Sequence, residues 1–438
     1  MADKSGWERI RLGDIIFIKH GWPFKTEFIS GELTGRPIVV NIGNFEYTGG
    51  FRFDSTRVRE YRGEYPPDYE LQSGDILLVM TCQTSEGEIL GVPARVPDDG
   101  RLYLHNQRLG KVMVTCPDKV DSNFLYWLFL WREFNRWLFT SSSGTKILHT
   151  APERIQSFEF DLPPLHEQHA IANILGSIEA RIELNNQMNK NLVAIGQAIF
   201  KHWFIDFEFP NEEGRPYKSS GGEMTYQEEL GIDVPKEWKV DRLGNHSIIK
   251  GRIGWKGLQI SEYTHEGPFI VGGLQIKNDG VAWEECAHVT EDRYNESPEI
   301  MLRETDILMT KDGTIGKLAY ITSLPNKATV ASHIHVIRAN SDRVSPEFLY
   351  YFFKSSKFQG LVQSRISGSV VPALTQKDIT DMQMVLPDSR IASHFESVAR
   401  DIQGRIAINS YNSLSLSKIR DSLLPRLMSE KIRVPSEI

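Results

Sequence analysis

A chain of 438 residues exceeds what one hydrophobic core usually organises, so at least two domains are expected. Hydrophobic, aromatic and charged shares of 40%, 10% and 24% are those of an ordinary folded protein, and three cysteines without a Cys-x-x-Cys pair argue against a disulfide framework or a zinc site. Lys and Arg number 50 against 57 Asp and Glu, a net charge of −7, which counts against nucleic-acid binding unless basic groups cluster on one face or partners supply the phosphate-facing surface.

Residues 1–164 read as a first α+β domain. Trp7-Glu-Arg-Ile-Arg-Leu-Gly13 opens it, and Pro37–Ile42, Asp75–Thr81 and Lys111–Thr115 are short β-branched runs bounded by turn residues, which predicts strands. A helix is predicted over Ser122–Trp137. At Leu162-Pro163-Pro164 the character changes, because proline disfavours helix before it while the segment beyond is strongly periodic. Residues 165–205 are therefore predicted as one long helix. Within it Ile171, Ile178, Asn185, Leu192 and Ile199 recur every seven residues, with Ile174, Met188 and Ile195 on the neighbouring seam and Arg181 interrupting it.

Residues 206–236 read as a linker, with loop signals concentrated in Asn211–Gly222. A second domain follows over 237–388, then a second long helix over 389–430 and a tail over 431–438. The second helix repeats the heptad at Phe395, Ile402, Asn409, Leu416 and Leu423, with Val398 and Ile419 beside them. One apolar stripe is usually a helix lying on its own core. Two matched heptad stripes predict helices that pack on each other, with Asn185 and Asn409 on the seams as register residues. At about 1.5 Å per residue, about 35 residues span roughly 50 Å, enough for a spacer.

The two halves are one pattern written twice. Trp7–Gly13 is echoed by Trp238-Lys-Val-Asp-Arg-Leu-Gly244 at an offset of 231, and Pro37-Ile-Val-Val40 and Gly74-Asp75-Ile-Leu77 by Pro268-Phe-Ile-Val271 and Thr305-Asp306-Ile-Leu308. After a small deletion the offset becomes 224, where Phe124-Leu-Tyr-Trp127 pairs with Phe348-Leu-Tyr-Tyr351 and Leu162-Pro163 with Leu386-Pro387. The fold expected is α+β: two domains in pseudo-two-fold repeat, each followed by a long helix, the two helices forming a coiled coil.

No catalytic triad, metal cluster or cofactor loop stands out in the sequence. There is no Asn/Asp-Pro-Pro-Tyr motif, and Tyr65-Pro-Pro-Asp-Tyr69 has those letters in the wrong order for anything but a turn. Gly313-Thr-Ile-Gly316-Lys317 lacks the spacing and hydroxyl of a phosphate-binding loop. His166 and His169 lie three apart as metal ligands sometimes do, but with Glu167 and Gln168 they read as the polar surface of a helix start. No segment has the form of an export signal or membrane span, so a reducing, cytoplasmic setting is expected.

Several segments together resemble the specificity subunits of type I restriction-modification enzymes: Leu162-Pro-Pro-Leu-His-Glu-Gln168, the run Gln197-Ala-Ile-Phe-Lys-His-Trp-Phe-Ile-Asp-Phe207, Gly231-Ile-Asp-Val-Pro-Lys-Glu-Trp238, and Gly74–Leu77. The resemblance implies two target-recognition domains, each reading half of a split DNA site, and an antiparallel coiled coil that docks two methyltransferase subunits. It further implies restriction and translocase subunits, with S-adenosylmethionine, ATP and Mg2+ bound on partner subunits and no cofactor or metal on this chain. Thr305 in place of Gly74, and Leu386-Pro-Asp-Ser-Arg390 in place of the Leu-Pro-Pro-Leu-His-Glu-Gln element, depart from the pattern and leave the second helix junction open.

If the domains read DNA, loops beside the strands are the place, because base edges are read by Arg, Lys, Asn and Gln while hydroxyls and further cations hold phosphates. The first domain offers Lys19, Lys25, Gln83, Thr84, Ser143, Thr145 and Lys146; the second offers Lys250, Arg252, Lys256, Lys311, Thr314, Arg365, Ser367 and Ser369. The same loops serve equally as glycine-made turns carrying solvated cations, and Trp22 and Trp255 as core. Two rival readings stay open: a coiled-coil scaffold whose paired domains bind protein or glycan, which the negative charge favours, and a self-sufficient modifying enzyme.

Overall fold

The computed structural model describes residues 6–82, 87–142, 144, 147–251, 260–341, 343–367 and 373–434. The chain forms two compact units, Met1–Ile182 with Ser415–Ile438, and Glu183–Leu414.

In the first unit the strand Glu8–Arg11 pairs antiparallel with Glu159–Leu162, so the domain's beginning and end lie side by side. A four-stranded antiparallel sheet follows in the order Ile16–His20, Leu109–Val114, Ile76–Val79, Pro93–Arg95. Ile76–Val79 is buried at every position, as its unbroken apolar run requires of a strand covered on both faces. A second, five-stranded sheet of two-residue strands carries Ile38–Val39. The helix predicted over Ser122–Trp137 is two helices, Ser122–Phe129 and Arg132–Ser141. Packing accounts for the break: Leu130 occupies the space over Gly49, and the Trp131 ring meets Phe158 edge-on at 6.4 Å.

The second unit repeats this plan. Lys239–Arg242 pairs with Gln383–Leu386, and its four-stranded sheet runs Ser247–Gly251, Ile334–Ala339, Ile307–Thr310, Leu318–Tyr320. The offset is 247 − 16 = 231 for the outer strand and 334 − 109 = 225 for its neighbour. Asp75 and Asp306 fill one role in both: each accepts its own turn's N–H, from Gln72 and Arg303 at 2.8 Å, and holds a cation from the adjacent strand, Lys111 at 2.5 Å or Arg338 at 2.6 Å. The turn before each needs positive φ. Gly74 adopts +84° freely, whereas Thr305 at +71° is a β-branched residue where few occur.

The long helices span Leu165–Phe204 and Ser389–Met428. They run antiparallel in the second unit, where residue numbers rise on one as they fall on the other through Asn189 with Asn409 and Phe200 with Phe395, and they meet in the first through Glu179 with Arg420. The two seam asparagines do not meet. Asn409 donates to Asn189 at 2.9 Å, while Asn185 is buried with its Nδ2 unpaired, as is the Ser413 hydroxyl. Antiparallel packing explains this, since equivalent positions of two repeats coincide only at the pseudo-dyad. Ile195 and Ile419, expected on the seams, are exposed. A seven-residue stripe drifts about 20° per turn pair on a straight helix, so a seam residue three heptads on has rotated outward.

Two other expectations are corrected. Glu167 and Gln168 are not a polar surface: both are buried, Glu167 accepting from Trp7 Nε1 at 3.0 Å and pairing with Arg433, Gln168 bonding Lys119 O, Pro163 O and Asp121 N. The segment 206–236 is not a bare linker. Phe207, Phe209 and Val234 join the second unit's core, Phe209 stacks between Tyr217 at 4.5 Å and Trp238 at 4.7 Å, and Met224–Gln227 pairs with Ile232–Pro235. The second helix junction, left open by the sequence, is capped by Asp388, which accepts from Arg390 N and Ile391 N.

Candidate nucleic-acid interface

Strand register decides which predicted loops share an edge. In the first unit His20 faces Gly110 and Val79 faces Leu109, so Lys19-His20, Arg108-Leu109 and Val79-Met80 lie at one end of the sheet. In the second, Gly251 faces His335 and Thr310 faces Ile334, which brings Lys250-Gly251, His333-Ile334 and Thr310-Lys311 to the matching end. The hairpin loop from Lys311 to Gly316 projects from that end and is tied at its base: Thr310 Oγ1 donates to Thr314 O, and Lys317 N donates to Thr310 Oγ1 at 2.9 Å. Thr314 is exposed on it.

The candidate cations are held to different degrees. Lys19 is half-buried; its ammonium donates to Asp68 O at 2.6 Å and lies 4.8 Å from the Tyr69 ring, which also packs on Trp22 at 5.3 Å. Lys25 and Lys250 are exposed, and Lys311 is half-buried with its backbone bonded to His333 and Leu374. Gln83, Thr84, Ser143, Thr145, Lys146, Arg252, Trp255, Lys256 and Ser369 lie outside the described residues. Arg365 and Ser367 sit in the helix Ser356–Ser367 with side chains outside them. The strands flanking two of those loops, Thr81–Cys82 and Leu148–His149, pair with each other.

Each unit also buries a neutral histidine in this region. Burial pushes His105 down to about 4 despite the bond its Nε2–H makes to Leu109 O at 2.9 Å. Burial likewise lowers His335, whose Nε2–H donates to Leu374 O at 2.8 Å, and in both rings Nδ1 is left without a partner. Neither ring offers a positive charge to a phosphate. Sequence reading passed over Arg108, which is exposed at the shared edge, and His333, paired with Asp312 at 2.7 Å. Only strand register reveals them, since nothing in their local sequence differs from ordinary surface.

Among the described residues no group of three or more His, Cys, Asp or Glu is arranged to hold a metal ion, and no helix is long and apolar enough to cross a membrane. Residues 4–194 and 235–408 match the family described as type I restriction modification DNA specificity domain. The chain is similar to the type I restriction enzyme MjaIX specificity subunit of Methanocaldococcus jannaschii, with 29% identity over 72% of this chain and 70% of that one. It is also similar to the EcoBI specificity subunit of Escherichia coli, with 21% identity over 94% and 85%. The fold is that of the type I restriction-modification S subunit from M. genitalium, at a TM-score of 0.52 and 15% identity over 98% of this chain and 97% of that one. With two copies of that domain written along it, the chain belongs to the type I restriction-modification DNA specificity family.

Proposed function

We propose that this chain gives a type I restriction-modification complex its DNA sequence specificity without catalysing a reaction. Each unit reads one half of an asymmetric bipartite site, and the antiparallel helices set the distance between the halves. The carrying observation is that the two sheets share one register, with lysine kept at Lys19 and Lys250, yet present different residues at the other matching positions of that end: His20, Met80 and Arg108 in one, Gly251, Lys311 and His333 in the other. A shared frame with divergent edges is what independent reading of two unlike half-sites needs.

Methyl transfer and any ATP-driven cleavage then belong to partner subunits, which hold S-adenosylmethionine, ATP and Mg2+. Docking of two methyltransferase subunits is supported by aliphatic side chains left exposed at equivalent places on both helices: Leu184 at 48% with Ile408 at 53%, and Ile195 at 50% with Ile419 at 49%, each pair 224 apart. The net charge of −7 fits a division in which partners supply much of the phosphate-facing surface. Methylation mapping in a host carrying the complete system tests the reading. A split, non-palindromic modified site is expected, and a contiguous or palindromic one rejects it; a complex with no salt-dependent DNA affinity instead favours the scaffold.

A further inference from the structure

Leu274 is 80% exposed, more than any other large hydrophobic side chain among those exposed in the described residues. It stands on the turn Gly272-Gly273-Leu274-Gln275, which is fastened to the reading edge of the second unit. Gln275 Oε1 accepts from Gly272 N at 3.2 Å, Lys317 Nζ donates to Gly273 O at 3.3 Å, and a Cβ on Gly273 would lie 3.4 Å from Thr310 Cγ2. The side chain is thus an apolar projection carried on a turn tied to the strand end at Thr310, beside the base of the hairpin loop that begins at Lys311. Offset 231 places Gly43 at the equivalent position of the first unit, in a turn closed the same way by Asn44 Oδ1 accepting from Asn41 N at 2.9 Å. The turn is shared, and the projecting side chain is particular to the second domain.

A lone exposed leucine needs no explanation on an ordinary surface. Base reading by this edge in the major groove would give it a chemical counterpart: the thymine C5-methyl group is the apolar feature among the base edges there. We propose that Leu274 reads a thymine methyl in the half-site of the second domain, an inference that rests on DNA reading by the strand-end loops.

Replacing thymine by deoxyuridine removes that methyl and nothing else, which makes the test atomic. Complex assembled with its methyltransferase subunits is titrated with duplexes carrying the mapped site, each thymine of both half-sites replaced singly by deoxyuridine. Wild-type complex is expected to lose about fourfold in affinity at one thymine, the value of burying one methyl group. Leu274→Ala is expected to bind the unmodified duplex about fourfold more weakly and to be indifferent to deoxyuridine at that position. A flat scan with wild-type complex, a half-site without any A·T pair, or a Leu274→Ala complex that keeps the same deoxyuridine sensitivity overturns the proposal. A wild-type complex with no sequence preference at all overturns the DNA-reading function itself, so the two failures are distinguishable.

Discussion

The two places where a sheet hands the chain to a long helix are equivalent in fold and opposite in chemistry. In the first unit the opening Trp7 donates to the buried carboxylate of Glu167, Arg433 completes the charge, and Gln168 ties three backbone groups. In the second the position of Glu167 is taken by Ile391, buried, and Trp238 packs among Phe204, Phe207 and Phe209. One frame tolerates a polar latch or an aromatic plug, provided all the groups of the chosen solution are satisfied. The polar version depends on pH and on each partner being present; the apolar one depends on volume.

Removing the plug is the strongest way to break the comparison. Trp238→Ala leaves a cavity beside three phenylalanines and is expected to destabilise the second unit by about 3–5 kcal/mol. Urea unfolding read by hydrogen exchange should show the loss in residues 183–414 and little change in the first unit.

Next comes the latch. Glu167→Ala takes the Glu167 carboxylate away from Trp7 Nε1 and leaves Arg433 to Glu430, with an expected cost of about 2–3 kcal/mol, softened because Arg433 is 43% exposed. Burial raises the Glu167 carboxyl, but the bonds from Arg433 and Trp7 outweigh it and hold the group below the ordinary glutamate value. A depressed folded-state value means the stabilisation is fully present above the unfolded value of about 4.3 and is lost as pH falls through the folded one. Glu167→Gln should flatten that acid limb in the first unit alone; an unchanged pH profile would show the latch to be energetically idle.

The smallest effect sharpens the likeness. Thr305→Asn places a residue that tolerates left-handed backbone where Gly74 stands in the other unit, and should stabilise the second unit by about 1 kcal/mol in thermal melts. A decrease in melting temperature would mean the threonine side chain is itself bonded in place.

Much of this architecture was legible beforehand. The repeat, the long helices and the strands around Ile38, Ile76 and Val112 follow from periodicity and turn residues, which act over a few positions. What escaped reading depended on tertiary partners. Glu167 and Gln168 look like surface until a tail residue 266 positions away supplies the counter-charge. Gly196 looks like a helix weak point until the Tyr351 ring is found where its Cβ would be, 2.2 Å from the nearest ring atoms. Asn185 and Asn409 share a seam position, but antiparallel pairing gives Asn409 to Asn189. At the candidate interface, residue type marked the loops, and only strand register showed which of them share an edge.

The contact between Arg433 and Glu167 also bears on how the molecule is made. The first unit includes residues 415–438, so a ribosome that has released its first 182 residues has not yet released all that this unit needs. At about 5–20 residues per second, the wait for the remaining segment is on the order of tens of seconds or less, during which Glu167 is a carboxylate without its cation. The second unit, by contrast, is continuous in sequence. Chains cut short before Arg433 should therefore carry a sound second unit and a first unit with an open latch, a built-in mark by which incomplete copies differ from finished ones.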